Sequence, residues 1–292
     1  MMEIQKRTGQ FESFDGTQIY YEVRGKGKPL VFCYGIGCLF NHWRHQVHHF
    51  SRSHTTILFD YRAHHKSELP KDLSTLTIEA LAKDIDRLCK HLQITSASFI
   101  GHSFGAQVVA KTFDLFPEYF NNIVFINGFV SNPLHKMFGG DMSAKVFDSI
   151  RRGHELLPEA LAFAFKKAVT NPVAIPLAAM AGGFNLSLTS FKDIEVYSKG
   201  LSSLDFNAFL TLFDAMMKYD GTDVLPRIKV PTLIIGGKKD SVTPVRHQVA
   251  MHHMIKKSQL TLITYGSHCT QLDLPDYVNL RMDKFFKEIQ YL

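Results

Sequence analysis

One stretch narrows what this chain can fold into more than any other. Ser98-Phe99-Ile100 begins as a buried strand would, Gly101-His102-Ser103-Phe104-Gly105 is a turn hemmed by two glycines, and a helical pattern starts near Ala106. A serine at the tip of so sharp a turn sits in a strained backbone. The glycines on either side have no Cβ, so strand and helix can crowd together. The helix N-terminus beneath Ser103 offers free N–H groups and the positive end of the helix dipole.

The surrounding chain repeats this strand–helix alternation. Phe11 to Phe14 and Thr17 to Val23 read as a hairpin around Asp15-Gly16. Leu30 to Cys33 is short and wholly apolar, as strands buried on both faces are. Trp43, Val47 and Phe50 recur at helical spacing, and Thr55 to Phe59 is the next strand. Ile78, Leu81, Ile85, Leu88 and Leu92 form one apolar helical stripe, with Ser74, Thr75 and Thr77 upstream as caps. Val108, Val109, Phe113 and Leu115 bury the helix after Ser103, Pro117 stops it, and Ile123 to Ile126 is a further strand.

Between Val130 and Val224 the alternation stops, and helical candidates replace it: Ser143 to Arg152, a segment from Pro158, Ser190 to Leu201, and one carrying Phe206, Phe209, Leu210, Phe213, Met216 and Met217. Strands resume at Thr232 to Gly237 and Leu260 to Ile263, and a C-terminal helix carries Val278, Met282, Phe285, Phe286 and Ile289. The pattern predicts an α/β fold with a mostly parallel eight-stranded sheet covered by helices on both faces. Residues 1–130 and 223–292 would form the core domain, and residues 131–222 a helical cap inserted after the sixth strand.

Composition excludes several function classes. With 292 residues, 45% hydrophobic and 21% charged, the chain is long enough for a large core and polar enough to be soluble. The net charge of +6 is spread without a long Lys/Arg block, which argues against nucleic acid as a partner. Cys33, Cys38, Cys89 and Cys269 include no C-x-x-C pair and do not suggest a disulfide scaffold. Met1 to Gln10 lacks the apolar core of a secretory signal, and no apolar run reaches the ~18–20 residues that span a bilayer. Cytoplasmic location with reduced thiols is the expectation.

Ligands of open α/β sheets bind beyond the carboxyl ends of the strands. Ser103, Asp240 and His268 each follow a strand there, in the order Ser…Asp…His. In that arrangement His268 would take the Ser103 proton and Asp240 would orient the imidazole. Asp273 and Asp214 are alternative acids. The chain resembles the α/β-hydrolase family, in its capped branch of esterases and lipases, over nearly its whole length outside the insert. The resemblance rests on Gly101-His102-Ser103-Phe104-Gly105, on Val230 to Asp240, on Gly266-Ser267-His268, and on Asp60 to Ser67, similar to the family's D-x-R-G-x-G-x-S loop. It implies an oxyanion hole made by the backbone N–H groups of Ile36 and Phe104, and no cofactor. Two departures stand out. Tyr34-Gly35 replaces the usual His-Gly, and Ala63 and His65 occupy positions that are usually glycine.

Serine as the nucleophile implies an acyl-enzyme, unlike the family's dehalogenases and epoxide hydrolases, which form an ester to aspartate. His42, His45, His48, His49 and His54 suggest a metal site at first sight, but no carboxylate or cysteine completes a ligand set, so no metal is expected. Cys269 lacks an elbow and reads as a small buried residue. The insert is rich in Phe and Met, among them Met137, Phe138, Met142 and Met180; Tyr34, Phe129, Phe209, Phe213 and Met217 are the candidate pocket lining. Such a wall suits an apolar acyl or aromatic group. The apolar segment Pro172 to Ala181 reads as cap interior or as a weak lipid contact. The expected activity is hydrolysis of an ester, thioester or lactone with an apolar portion. Carbon–carbon bond hydrolysis aided by Arg151 or Arg152, a haloperoxidase-like reaction, and a non-catalytic small-molecule receptor are the alternatives.

Overall fold

The computed structural model describes residues 5–132, 142–171 and 183–291, and of residues 142–144 and 146 the backbone alone. Eight strands form one sheet: β1 (Lys6–Glu12), β2 (Gln18–Arg24), β3 (Pro29–Cys33), β4 (Thr55–Phe59), β5 (Ala97–His102), β6 (Phe120–Ile126), β7 (Thr232–Gly237) and β8 (Ser258–Ile263). Their order is β1-β2-β4-β3-β5-β6-β7-β8. The first two pairings are antiparallel and the rest parallel.

The central strands β3, β5 and β7 are buried at nearly every position because helices cover both faces, so their sequences run apolar without alternation. Helices Ile78–His91 and Phe104–Leu115 pack together on the sheet, as do Arg44–Phe50 and Pro275–Glu288. Thr77 caps the first of these, its hydroxyl accepting from Ala80 N at 3.1 Å. The first strand starts at Lys6 rather than Phe11 and ends before Phe14. Lys6, Arg7 and Thr8 are exposed on an edge that pairs only with β2, so no apolar pattern announces them.

Among the described residues, the segment between β6 and β7 carries the helices Met142–Leu156, Pro158–Thr170, Phe191–Ser202 and Phe206–Lys218, joined by turns. Phe147, Phe206 and Leu210 are its small interior, joined by Phe165, Phe209, Phe213 and Met217. It is tied to the core at several points. Arg44 grips Asp193 through both terminal nitrogens, at 2.5 and 2.8 Å, Gln107 Nε2 donates to Met216 O at 3.0 Å, and Gly221 N donates to Val130 O at 2.8 Å. Met137, Phe138, Met180, the Pro172 to Ala181 segment and the Met142 side chain lie outside the described residues. Among the described residues no helix is long and apolar enough to cross a membrane.

Arg62 holds the β1–β2 turn, the loop after β4 and helix Ile78–His91 together. It is fully buried, donates from Nε and Nη2 to Asp84 at 2.8 and 2.6 Å, and reaches Asp15 at 2.8 Å. Removing one member of a buried pair leaves the other charge unpaired, at a cost of about 3–5 kcal/mol. Arg62→Met should therefore lower the urea midpoint by that equivalent, and Arg62→Met with Asp84→Leu should recover much of the loss. A single variant within about 1 kcal/mol of wild type would contradict this reading of Asp84.

Candidate active site

Ser103 sits at the turn between β5 and helix Phe104–Leu115 with φ 54° and ψ −123°, a conformation few side-chain-bearing residues adopt. Packing enforces it. A Cβ on Gly105 would lie 2.1 Å from Cys33 O, and one on Gly101 would lie 2.8 Å from Gly105 O. Only glycine allows strand and helix to close this tightly around the serine.

Three strand ends converge beside it. His268, in the loop after β8, places Nε2 2.9 Å from Ser103 Oγ and Nδ1 3.0 Å from Asp240 Oδ2. With Nδ1–H donating to the carboxylate, Nε2 is left to accept the serine proton. Asp240, after β7, is buried and richly bonded. Val242 N and Thr243 N donate to Oδ1 at 2.9 and 2.7 Å, Asn127 Nδ2 donates to Oδ2 at 2.7 Å, and the Thr243 hydroxyl lies 2.6 Å from Oδ2. Burial pushes this carboxyl up, but His268 and the Thr243 donors outweigh it and hold the group below the ordinary aspartate value. A depressed carboxyl stabilises the fold above its unfolded value and loses that contribution as pH falls through the folded one.

The loop after β3 touches the serine. A Cβ on Gly35 would come 3.2 Å from Ser103 Cβ, so this loop packs directly against the serine. Phe104 opens the elbow helix, so its N–H is among the first four that have no intrahelical acceptor. Tyr34 is wholly buried and turned away from the loop tip. Its hydroxyl donates to Asp60 Oδ1 at 3.1 Å and accepts from Tyr61 N at 3.0 Å, so it anchors the loop backbone. Burial lifts the Asp60 carboxyl to about 7 despite these bonds. Two histidines clamp the same loop: Gly37 N donates to His64 Nε2 at 3.2 Å, and His65 Nε2 donates to Cys38 O at 2.8 Å. Burial holds His64 down to about 3, which keeps its Nε2 bare and able to accept.

The other sequence candidates fall as follows. Phe129 is buried in the main core, and Phe213 and Met217 pack against both that core and the small interior of the helical segment, where Phe209 also packs. Asp273 does not meet His268. Its Oδ2 accepts from Ser267 N and Oγ at 2.6 and 2.7 Å, and its Oδ1 from Thr189, so it ties the His268 loop to the helical segment. Asp214 pairs with Lys218. Arg151 and Arg152 are exposed. Cys269 is buried, and burial raises its thiol well above the ordinary value. His42 lies buried against Tyr197, held down to about 4 by burial, while His49 pairs with Asp283 and His54 lies 3.2 Å from Tyr291 O. His102 Nε2 donates to His268 O at 2.9 Å, steadying the loop from behind. Asn127, Thr243 and the loop-clamping role of His64 escape the sequence reading, although Asn127 follows β6 at the same sheet end that marks Asp240 and His268.

Fold and site together define a class. Residues 28–275 match the family model described as alpha/beta hydrolase fold, and the chain belongs to that family. It is 25% identical to the 3-oxoadipate enol-lactonase 2 of Acinetobacter baylyi over 258 residues, 88% of each chain. It is 24% identical to the epoxide hydrolase 4 of Mus musculus over 286 residues, 94% of this chain and 77% of that one. Among solved structures it resembles a bromoperoxidase from Bacillus anthracis, with a TM-score of 0.77, 22% identity, and coverage of 96% of this chain and all of that one.

The loop residues that depart from glycine yield a paired prediction. Ala63 and His65 both have positive φ, 60° and 47°. Ala63→Gly relieves that strain and should raise stability by about 0.5–1 kcal/mol in urea unfolding. His65→Gly removes the bond to Cys38 O as well and should bring no such gain. Ala63→Gly destabilising the protein would show that its left-handed backbone is not strained.

Proposed function

We propose that the protein is a serine hydrolase cleaving a carboxylic ester, thioester or lactone that carries an apolar acyl or aromatic portion. The observation that carries this reading is the continuous relay from Ser103 Oγ through His268 to Asp240, at 2.9 and 3.0 Å. Ser103 attacks the substrate carbonyl while His268 Nε2 takes its proton and passes it to the leaving group. The N–H groups of Ile36 and Phe104 hold the oxyanion, where preorganised backbone donors are most effective. Water, activated by the same imidazole, then releases the acyl group from Ser103. Asp240 keeps Nδ1 protonated and stabilises the imidazolium that forms.

Residues 131–222 act in this reading as a cap over Ser103, excluding water from the reacting centre. Phe129, Phe209, Phe213 and Met217 supply an apolar wall; Tyr34 contributes by fixing the loop that carries Ile36. The serine distinguishes this chain's chemistry from the aspartyl-ester route of epoxide opening, and the enol-lactonase relative is consistent with attack on an acyl carbon. The exposure of Arg151 and Arg152 disfavours the carbon–carbon hydrolase alternative, which needs an arginine at the pocket.

Ser103→Ala should abolish fluorophosphonate labelling and cut turnover of p-nitrophenyl esters by ~10³ or more. Asp240→Asn should lower kcat by about 10³–10⁴ and also lower the urea midpoint, because it removes the charge and sets an amide NH2 among the donors that face the carboxylate. Across acyl chains from acetate upward, kcat/KM should pass through one sharp optimum set by the apolar wall. Equal labelling of wild type and Ser103→Ala would sink the proposal, and tight ligand binding without multiple turnover would support the receptor reading instead.

A further inference from the structure

Five donors surround the Asp240 carboxylate, and one of them is a hydroxyl that the Ser103–His268–Asp240 relay does not itself require. The turn Asp240-Ser241-Val242-Thr243 folds back on its own carboxylate. Val242 N and Thr243 N donate to Oδ1, and the return brings the Thr243 side chain beside Oδ2. Thr243 is wholly buried. Its Oγ1 lies 2.6 Å from Asp240 Oδ2, 2.9 Å from Asn127 O and 3.1 Å from His268 Nδ1. A hydroxyl has one proton to give, and two acceptors face this one.

The nearer, charged oxygen takes that proton, because a hydrogen bond to a carboxylate is about twice as strong as one between neutral groups. Oδ2 then serves three donors: Thr243 Oγ1, Asn127 Nδ2 at 2.7 Å and His268 Nδ1 at 3.0 Å. Oδ1 serves the two backbone N–H groups. A carboxylate has about four lone-pair sites, two on each oxygen. Oδ2 therefore faces one donor more than it has lone pairs, and the histidine is the most distant of the three.

We propose that Thr243 is a positioning residue that competes with His268 for Asp240 Oδ2 and so limits how firmly the carboxylate holds a protonated imidazole. This role rests on the serine-hydrolase reading, in which the imidazole takes a proton from Ser103 and must give it up again to the leaving group. Without the hydroxyl, Asp240 would bind the imidazolium more tightly and leave less neutral base facing Ser103. The other contact of Oγ1 works in the opposite sense, since it accepts a share of the Nδ1–H bond at 3.1 Å. That contact is longer and its acceptor is neutral, so the charge-assisted donation to Oδ2 decides the sign. Other titratable groups face the pair. Burial holds His42, beside the loop after β3, down to about 4, His102 at the end of β5 well below the ordinary histidine value, and His247 on helix Arg246–Met254 below it. Burial also keeps the Cys269 thiol well above its ordinary value, and Asp273 is occupied by Ser267 and Thr189.

Thr243→Val removes the hydroxyl and keeps the shape of the side chain, whereas Thr243→Ser keeps the hydroxyl. In the pH profile of kcat/KM for p-nitrophenyl butyrate, the acid limb of Thr243→Val should lie about 0.5–1 pH unit above that of wild type, a roughly three- to tenfold tighter hold on the proton. Thr243→Ser should keep the wild-type limb. Thr243→Ala, a second variant without the hydroxyl, should move as Thr243→Val does and replaces it if that variant fails to fold. NMR titration of the His268 ring in the resting protein, assigned with His268→Gln, should show the same displacement without any turnover. An unmoved limb overturns the proposal and makes Thr243 a packing residue. A limb moved to lower pH also overturns it and makes Oγ1 chiefly an acceptor for Nδ1–H. A wild type inert toward esters would defeat the hydrolase reading, while the NMR titration would still decide the role of Thr243.

Discussion

A carboxylate out of water must be fully bonded or it does not stay charged. Asp240 meets that demand with donors from three places: Asn127 after β6, the Val242–Thr243 turn after β7, and His268 after β8. The demand works in both directions. The carboxylate is ionised because those donors surround it, and the three strand ends are held together because each supplies a donor. Asn127 accepts a positive φ of 47° to reach it, and also donates to Ser267 O at 3.1 Å, next to the histidine. The parallel sheet is what makes this possible, since all three strands end on the same edge.

On the other side of Ser103 a second network fixes the loop that carries Ile36. Tyr34 reaches down to Asp60, Tyr61 returns a bond to Tyr34 O at 2.9 Å, and His64 and His65 take hold of Gly37 and Cys38. The residues that depart from the family pattern are therefore connected to one another. Tyr34 and His65 bond the same short loop, and Ala63 and His65 adopt left-handed backbone to bring it within reach. The His65 side chain adds a bond to Cys38 O that a glycine at this position could not make.

The fold was largely legible in the sequence because its strongest signals are local. Apolar runs such as Leu30–Cys33 and Thr232–Gly237 announce buried strands, and the stripe from Ile78 to Leu88 announces a helix packed along one side. The edge strand β1 was legible only in part, because a half-solvated edge leaves little apolar imprint on Lys6 to Gln10. At the candidate site, position after a strand marked Ser103, Asp240 and His268 as candidates, and the folded chain sets their side chains within hydrogen-bond distance. Residues recruited by hydrogen bonding carry no such mark. Thr243 and His64 look like ordinary turn residues, and only the folded chain brings them to the Asp240 carboxylate and the Gly37 amide. Tyr34 was legible as a departure but not as an anchor, because its partner Asp60 is supplied by a different strand end.

The central claim is that Ser103 forms the covalent bond to substrate. Rapid acid quenching of the wild-type protein during turnover of p-nitrophenyl butyrate, followed by peptide mass analysis, tests it directly. The account predicts a butyryl adduct on the peptide containing Ser103. Turnover with the adduct on Cys269, or with every peptide unmodified under conditions where product release shows a burst, would contradict it.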